Sequence, residues 1–220
     1  MASGNRDSDW KEYYERTELR PPRPTLLAAL ERFGGAAGRR AVDLGCGDGR
    51  DTIELLRRGW SVLAIDAEPA AIERLLARSD LPQGATLTTR IARFEETRWP
   101  AADLVNASFS LPLCPPDRFA ELWARIVAAL QPEGRFAGQL FGIRDEWSGK
   151  PGMTFLDRAA IDRLLRDFVV EMLEEEESDT QTPYGKPKHW HLFHIVARKR
   201  QDSSPLPSLP LKGGGYRRGA

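Results

Sequence analysis

Along the chain, short apolar runs alternate with stretches whose apolar residues recur at helical spacing. Ala41 to Gly45 is an apolar run that breaks into glycines, and DTIELLRRG follows, with Ile53, Leu55 and Leu56 set to face a core and Gly59 as a stop. That is strand, tight loop, helix. Ser61 to Ile65 is a second apolar run ending in Asp66. Pro69 then opens a helix whose Ile72, Leu75 and Leu76 share a face. Residues 86–91 and 103–107 predict a third and a fourth strand, and residues 116–130 a helix. The turn Pro132-Glu133-Gly134 leads into a fifth strand over 135–141, and Asp157 caps a further helix. Two last strands, over 168–174 and 190–198, have no helical pattern between them. The polar loop through Thr182-Pro183-Tyr184-Gly185 joins them, so they pair antiparallel.

This order predicts an α/β fold: a seven-stranded, mostly parallel sheet with helices on both faces and an antiparallel last strand. A short helix over 25–33 precedes the first strand. Residues 1–24 are expected to form an N-terminal leader and lid segment, and residues 25–200 one domain. The aperiodic stretch 201–220 is expected to be a disordered tail.

Composition narrows the function. The chain has 220 residues, the length of one domain, and its 41% hydrophobic content is enough to close a core. Its 32 Lys and Arg balance 32 Asp and Glu, so nothing marks it as a nucleic-acid binder, and a small-molecule substrate becomes the default. The expected state is a monomer or weak dimer. Cys46 and Cys114 are far apart and make no CxxC pair, which excludes a disulfide framework or a zinc cluster as an organising device. Neither an apolar signal region near the N-terminus nor a run of about eighteen apolar residues is present, so the expectation is a cytoplasmic protein with no membrane partner.

The sharpest constellation is Asp43, Gly45, Gly47 and Gly49 between the first strand and its helix. Glycines there permit a tight turn and let a ligand approach the main chain. In an open α/β sheet this crevice is where ligands bind. Asp66, at the end of the second strand, can accept hydrogen bonds from two ribose hydroxyls, which implies a nucleoside-containing ligand. A dinucleotide fingerprint requires glycine or alanine at the sixth position from Gly45, and that position is Arg50. Asp43 and Asp48 would also repel a pyrophosphate. S-adenosyl-L-methionine, with a sulfonium and an ammonium and no phosphate, fits better, and Asp43 suits its ammonium.

AVDLGCGDGR followed by VLAID resembles motif I and the ribose-binding acid of the Rossmann-like (class I) S-adenosylmethionine-dependent methyltransferases. WKEYYERT and the small size resemble the tellurite-resistance methyltransferase branch, and the likeness spans about residues 10–199. The resemblance implies a cofactor site made of Asp43, Gly45, Cys46, Gly47 and Gly49, with Asp66 and Ala67 at the ribose. It places the adenine among Phe94, Glu95, Ala107 and Ser108. Arg93 stands where many members carry an adenine-binding Asp, so Glu95 or the backbone near Phe94 would take that duty. The implied activity is methyl transfer by in-line displacement to a small acceptor: an oxyanion, a thiol or chalcogen, or a small metabolite. A natural-product O- or N-methyltransferase and a non-catalytic nucleoside-binding module are the alternatives. NASFSLP after the fourth strand, in place of Asn/Asp-Pro-Pro-Tyr, weakens methylation of nucleobase or amide nitrogen.

Methyl transfer needs alignment and shielding more than a fixed triad. Trp10, Tyr13 and Tyr14 are lid candidates, with packing of an ordinary N-terminal helix as the plain alternative, and Arg20 and Arg23 are candidates for the substrate or the methionine carboxylate. Arg144, after the fifth strand, is the candidate for an anionic substrate because of its fixed fork of donors. His189 and His191 share one strand face and are candidates for base or substrate donor; His194 points to the other face. No metal site is expected. The acidic run Glu174–Glu177 reads as a solvated strand end or an attractor for a cation. Cys46 and Cys114 lack a base partner and are not expected to act as nucleophiles.

Overall fold

The glycine-terminated apolar run becomes the middle strand of a single sheet. The computed structural model describes residue 16 and residues 20–201. β1 (Arg40–Leu44) lies between β2 (Ser61–Asp66) and β4 (Ala102–Ala107), parallel to both. With β3 (Leu87–Ile91), β5 (Leu130–Gly142), β7 (Phe168–Gln181) and β8 (Pro187–Lys199), the order is β3-β2-β1-β4-β5-β8-β7. β8 runs antiparallel between β5 and β7. A two-residue β6 (Phe155–Leu156) pairs with the end of β5 and is an addition to the expected seven strands. The chain winds outward from β1 through β2 and β3, then returns to β4 on the other side. The carboxyl ends of β1 and β4 therefore flank the switch point where such sheets bind ligands.

Helices cover both faces. α1 (Pro24–Glu31), α2 (Arg50–Arg57) and α3 (Pro69–Leu76) bury Leu26, Ala29, Ile53, Leu56, Ile72 and Leu75 against one side. α4 (Pro116–Ala129) and α5 (Arg158–Leu164) bury Phe119, Leu122, Trp123, Ile126 and Ile161 against the other. Pro24, Pro69 and Pro116 each sit in a first turn, where their missing N–H is no loss. Asp157 caps α5 by accepting from Ala160 N at 2.7 Å. Among the described residues no helix is long and apolar enough to cross a membrane.

The expected boundaries shift at three strands. β5 begins at Leu130, because the Pro132-Glu133-Gly134 turn is a bulge inside it, with Glu133 at φ 65°. β7 runs seven residues beyond Glu174 to Gln181, and β8 begins at Pro187, three before Trp190. The acidic run is thus the middle of an edge strand, not its end. Successive glutamates face opposite ways: Arg144 and Arg158 meet Glu175 on one face, and His194 Nε2 bonds Glu176 on the other.

The β7–β8 hairpin passes the end of β5 and is fastened there by a buried ion pair. Lys188 Nζ lies 2.6 Å from both oxygens of Asp145, and their side chains are 1% and 0% exposed. Three aromatic rings surround the ammonium: Trp190 at 3.6 Å, Trp147 at 4.4 Å and Phe141 at 5.4 Å to the centroid. Asp145 also accepts from the N–H groups of Trp147 and His191. Removing one partner leaves a buried, uncompensated charge. Lys188→Ala is therefore expected to lower the unfolding free energy by about 3–5 kcal/mol. The double change Lys188→Met, Asp145→Leu should recover most of that loss, as measured by urea denaturation.

Candidate active site

At the end of β1 the chain turns through three glycines with positive φ: Gly45 at 70°, Gly47 at 55° and Gly49 at 87°. Two of them also have no room for a side chain. A Cβ on Gly45 would come within 2.4 Å of Ser110 Cβ, and one on Gly49 within 2.2 Å of Leu75 Cδ1. The loop is pinned to β2, since Gly45 N and Cys46 N both donate to Ile65 O. Gly47 N donates to Asp66 Oδ2 at 2.8 Å, and Glu68 N to Asp66 Oδ1 at 2.9 Å. Asp66 thus presents a fixed carboxylate at the crevice, with a second lone pair on each oxygen available to a pair of hydroxyls. Burial raises its pKa, and these backbone donors pull it back. Ala67 follows directly.

Asp43 lies deeper. Thr52 Oγ1 donates to its Oδ2 at 2.6 Å, and Asn106 Nδ2 to its Oδ1 at 2.9 Å. The same Asn106 amide reaches Asp51 Oδ2 at 3.1 Å, and Ser108 Oγ donates to that oxygen at 2.6 Å. Arg23 N donates to Asp51 Oδ1 at 2.9 Å, and Arg50 Nε donates to Pro21 O. Residues 21–23 are thereby fastened to the first turn of α2. Burial, and then the neighbouring charge of Asp51, push the Asp43 carboxyl up to about 7.

The adenine candidates gather beyond this. Phe94 packs 3.7 Å from where a Gly45 Cβ would stand, and Ala107 is fully buried at the end of β4. Glu95 is also buried, and Arg93 Nε donates to it at 2.6 Å, so the departure at Arg93 is matched by a carboxylate two residues on. Cys46 is buried, and burial together with Asp43 and Asp66 pushes its thiol well up; burial pushes that of Cys114 up to about 12. Neither is a thiolate at neutral pH.

The acceptor candidates divide. Arg23 is at the site, its guanidinium 4.2 Å from the centroid of Phe109 in the loop after β4. Arg20 is exposed, and Trp10, Tyr13 and Tyr14 lie outside the described residues. Arg144 is not an open fork for an anion. It pairs with Glu175 at 2.8 Å and with Glu177, neutralised by the acidic run that sequence reading left solvated. His191 is fully buried under Gly142, whose added Cβ would stand 2.0 Å from Nδ1. Its Nδ1 accepts from Arg144 N at 3.1 Å and its Nε2 donates to Glu175 at 3.0 Å, so both nitrogens are engaged within the protein. His189 bonds Asp179 at 2.9 Å on the exposed hairpin, and that carboxylate raises its pKa. Glu175, Glu177 and His191 bring ligand atoms within 4.8 Å of one another, but the Arg144 guanidinium bonds both carboxylates and stands 3.1 Å from His191 Nε2.

Asp51, Thr52, Asn106 and Ser110 pack into this arrangement and were missed in the sequence. Asn106 was findable as a polar side chain set between apolar residues in the inner half of a buried strand. Asp51 was hidden, because an acid in the first turn of a helix is ordinary.

Residues 41–134 match the family described as methyltransferase domain. An uncharacterised methyltransferase of Synechocystis sp. is 32% identical over 111 residues, covering 49% of this chain and 50% of that protein. Trans-aconitate 2-methyltransferase of Methylobacterium radiotolerans is 34% identical over 136 residues, covering 60% and 50%. The chain spans half or less of the length of the curated relatives it matches. TehB from Haemophilus influenzae shares the fold with a TM-score of 0.72 at 13% identity, over 87% of this chain and 67% of that one. A Burkholderia thailandensis 1,6-didemethyltoxoflavin-N1-methyltransferase, solved with S-adenosylhomocysteine, gives 0.63 at 24% identity over 88% and 87%. The strand order, the glycine loop and the matched segment define a class I, Rossmann-like methyltransferase domain. Residues 41–134 thus match a methyltransferase domain set in the class I, Rossmann-like fold, whose cofactor is S-adenosyl-L-methionine.

The residues present fit that cofactor. Asp43, Asp51 and Asp66 form a donor-poor, acceptor-rich rim that favours a cationic ligand over a phosphate. Asp43 supplies a test with a definite sign. Its folded pKa of about 7 lies above the unfolded value, so its ionisation disfavours the free protein as pH rises from about 4 to about 7. A cation favours the ionised form, so binding below pH 7 must expel a proton. Affinity for S-adenosylmethionine is expected to fall up to about tenfold per pH unit below 7 and to level off above it. Calorimetry in buffers of differing ionisation enthalpy should show proton release, and Asp43→Asn should flatten the dependence.

Proposed function

We propose that this protein transfers a methyl group from S-adenosylmethionine to a small-molecule acceptor by in-line displacement. The observation that carries the reading is the Asp66 carboxylate, held by two backbone N–H groups at the end of β2 beside a glycine loop. When bound, the cofactor supplies an electrophilic methyl carbon. Asp66 is assigned to the ribose, with Ala67 beside it. The segment from Gly45 through Cys46 and Gly47 to Gly49, with Asp43 beneath, is assigned to the methionine end, and Phe94, Glu95, Ala107 and Ser108 to the adenine. The chain itself orients the acceptor and excludes water, for which Arg23 and the loop after β4 are placed. Residues 1–24 would complete the cover, and 25–200 form the catalytic domain.

A tellurite-type oxyanion acceptor would need converging cations, and Arg144 is neutralised by Glu175 and Glu177. A small organic acceptor is the better fit. Calorimetry is expected to detect S-adenosylmethionine and S-adenosylhomocysteine but not NAD. Asp66→Ala should weaken both by about 1.5–3 kcal/mol, which is roughly ten- to a hundredfold. Unchanged affinity in that variant would remove the ribose assignment.

A further inference from the structure

His194 on β8 lies directly across from Gln139 on β5, so both side chains leave the same face of the sheet. Gln139 is buried there; its Oε1 accepts from Phe109 N at 3.1 Å and its Nε2 donates to Thr25 Oγ1 at 2.7 Å. His194 therefore faces the loop after β4, and its ring meets Phe109 edge to face at 6.4 Å. That same loop touches the glycine loop where Ser110 packs on Gly45. The residue in contact, Phe109, is held at φ 58°, a conformation that side chains other than glycine rarely adopt.

The imidazole is polarised. Its Nε2 lies 2.9 Å from Glu176 Oε2. A carboxylate only accepts, so Nε2 carries the hydrogen and Nδ1 presents a lone pair. Nδ1 takes no protein hydrogen bond among the described residues. Glu176 is itself fixed by the Ser178 hydroxyl at 2.7 Å, and that bond, then His194, holds its carboxyl below the ordinary range. The charged groups around the ring are Glu176, its neighbour Glu174 on β7, and Arg23 across Phe109. His191 has both nitrogens engaged, whereas His194 is a base with a positioning carboxylate and a free lone pair.

The adjoining wall is aromatic: buried Phe141 lies 6.4 Å from Phe109, 6.3 Å from Trp147 and 6.0 Å from Trp190. Lys188 occupies the inner side of the two tryptophans, and Phe109, beside His194, stays half-buried at the crevice. Such a ring suits a flat acceptor, and a base beside it suits one whose nucleophile must lose a proton. We propose that the acceptor is a planar aromatic hydroxyl compound and that His194 is the general base, positioned by Glu176. The inference rests on the methyltransferase reading above. The acceptor O–H bond breaks, and its proton passes to Nδ1. The freed oxygen pair forms the O–CH3 bond as the C–S bond breaks, and its electrons stay on sulfur as a neutral thioether. Glu176 stabilises the imidazolium that results.

The test uses the full chain and three probes: 4-nitrophenol, catechol and 4-hydroxybenzoate. Failure to bind S-adenosylhomocysteine by calorimetry would sink the methyltransferase reading itself, apart from any role of His194. With S-adenosylhomocysteine bound, 4-nitrophenol is expected to gain its phenolate absorption at a pH where the free phenol is protonated. H194Q should bind it within about threefold of wild type yet lose that band. In turnover, H194Q should lose about a hundredfold in kcat with little change in KM, and its rate should climb with pH toward the phenol's own pKa. E176Q, whose site is partly exposed, should shift the acid limb of the profile without abolishing turnover. Thermal midpoints check that both variants fold. The proposal is overturned if H194Q keeps the wild-type kcat and pH profile. It is equally overturned if a chain that binds S-adenosylhomocysteine binds none of the three phenols, or binds them without methylating any.

Discussion

Two carboxylates, Asp43 and Asp51, share one amide beneath the glycine loop, and the rest of the site hangs on that arrangement. Like charges in a buried place repel strongly, and only dense hydrogen bonding keeps them there. Asn106 from β4, Thr52 from α2, Ser108 from the loop after β4 and the Arg23 N–H from the approach to α1 supply it. Four separate parts of the chain are thereby drawn to one point at the switch of the sheet. The residual unfavourable charge is stored as a carboxyl near neutrality at Asp43, ready to be offset by a cationic ligand. Binding preference is thus built into the fold before any ligand contact is made.

Most of the architecture was legible because local signals agreed with one another. The glycines after β1, the prolines opening three helices and the Asp157 cap each answer to a rule about a few neighbouring residues. The central strands read cleanly as apolar runs because both their faces are buried. The far half of the edge strand β7 did not, since four consecutive glutamates look like a strand end until their cross-strand partners are known. Gly47 and Asp66 could be paired from position alone. The link between Asp51 and Asn106, 55 residues apart, is visible only once β1 and β4 lie side by side.

The same distinction governs the histidines. Alternation on a strand correctly separated His189 and His191 from His194, but it does not say which face meets the ligand crevice. Packing decides that: α5 and the Arg144 cluster lie against the His191 face, while α1 and the loop after β4 lie against the His194 face. His191, a candidate chosen by residue type, has both ring nitrogens engaged within the protein. Its neighbour three positions along carries an unengaged lone pair.

Lys188, lodged among Trp190, Trp147 and Phe141 and paired with Asp145, has a consequence for ligand binding. It welds the hairpin and the loop after β5 into one stiff wall, whose opening would part a buried charge pair. The opposite side of the crevice is fastened differently, by bonds that include Arg23 N to Asp51, Arg50 to Pro21 and Gln139 to Thr25. The hairpin side of the crevice is thus shaped before a ligand arrives, so little ordering remains to be done there on binding.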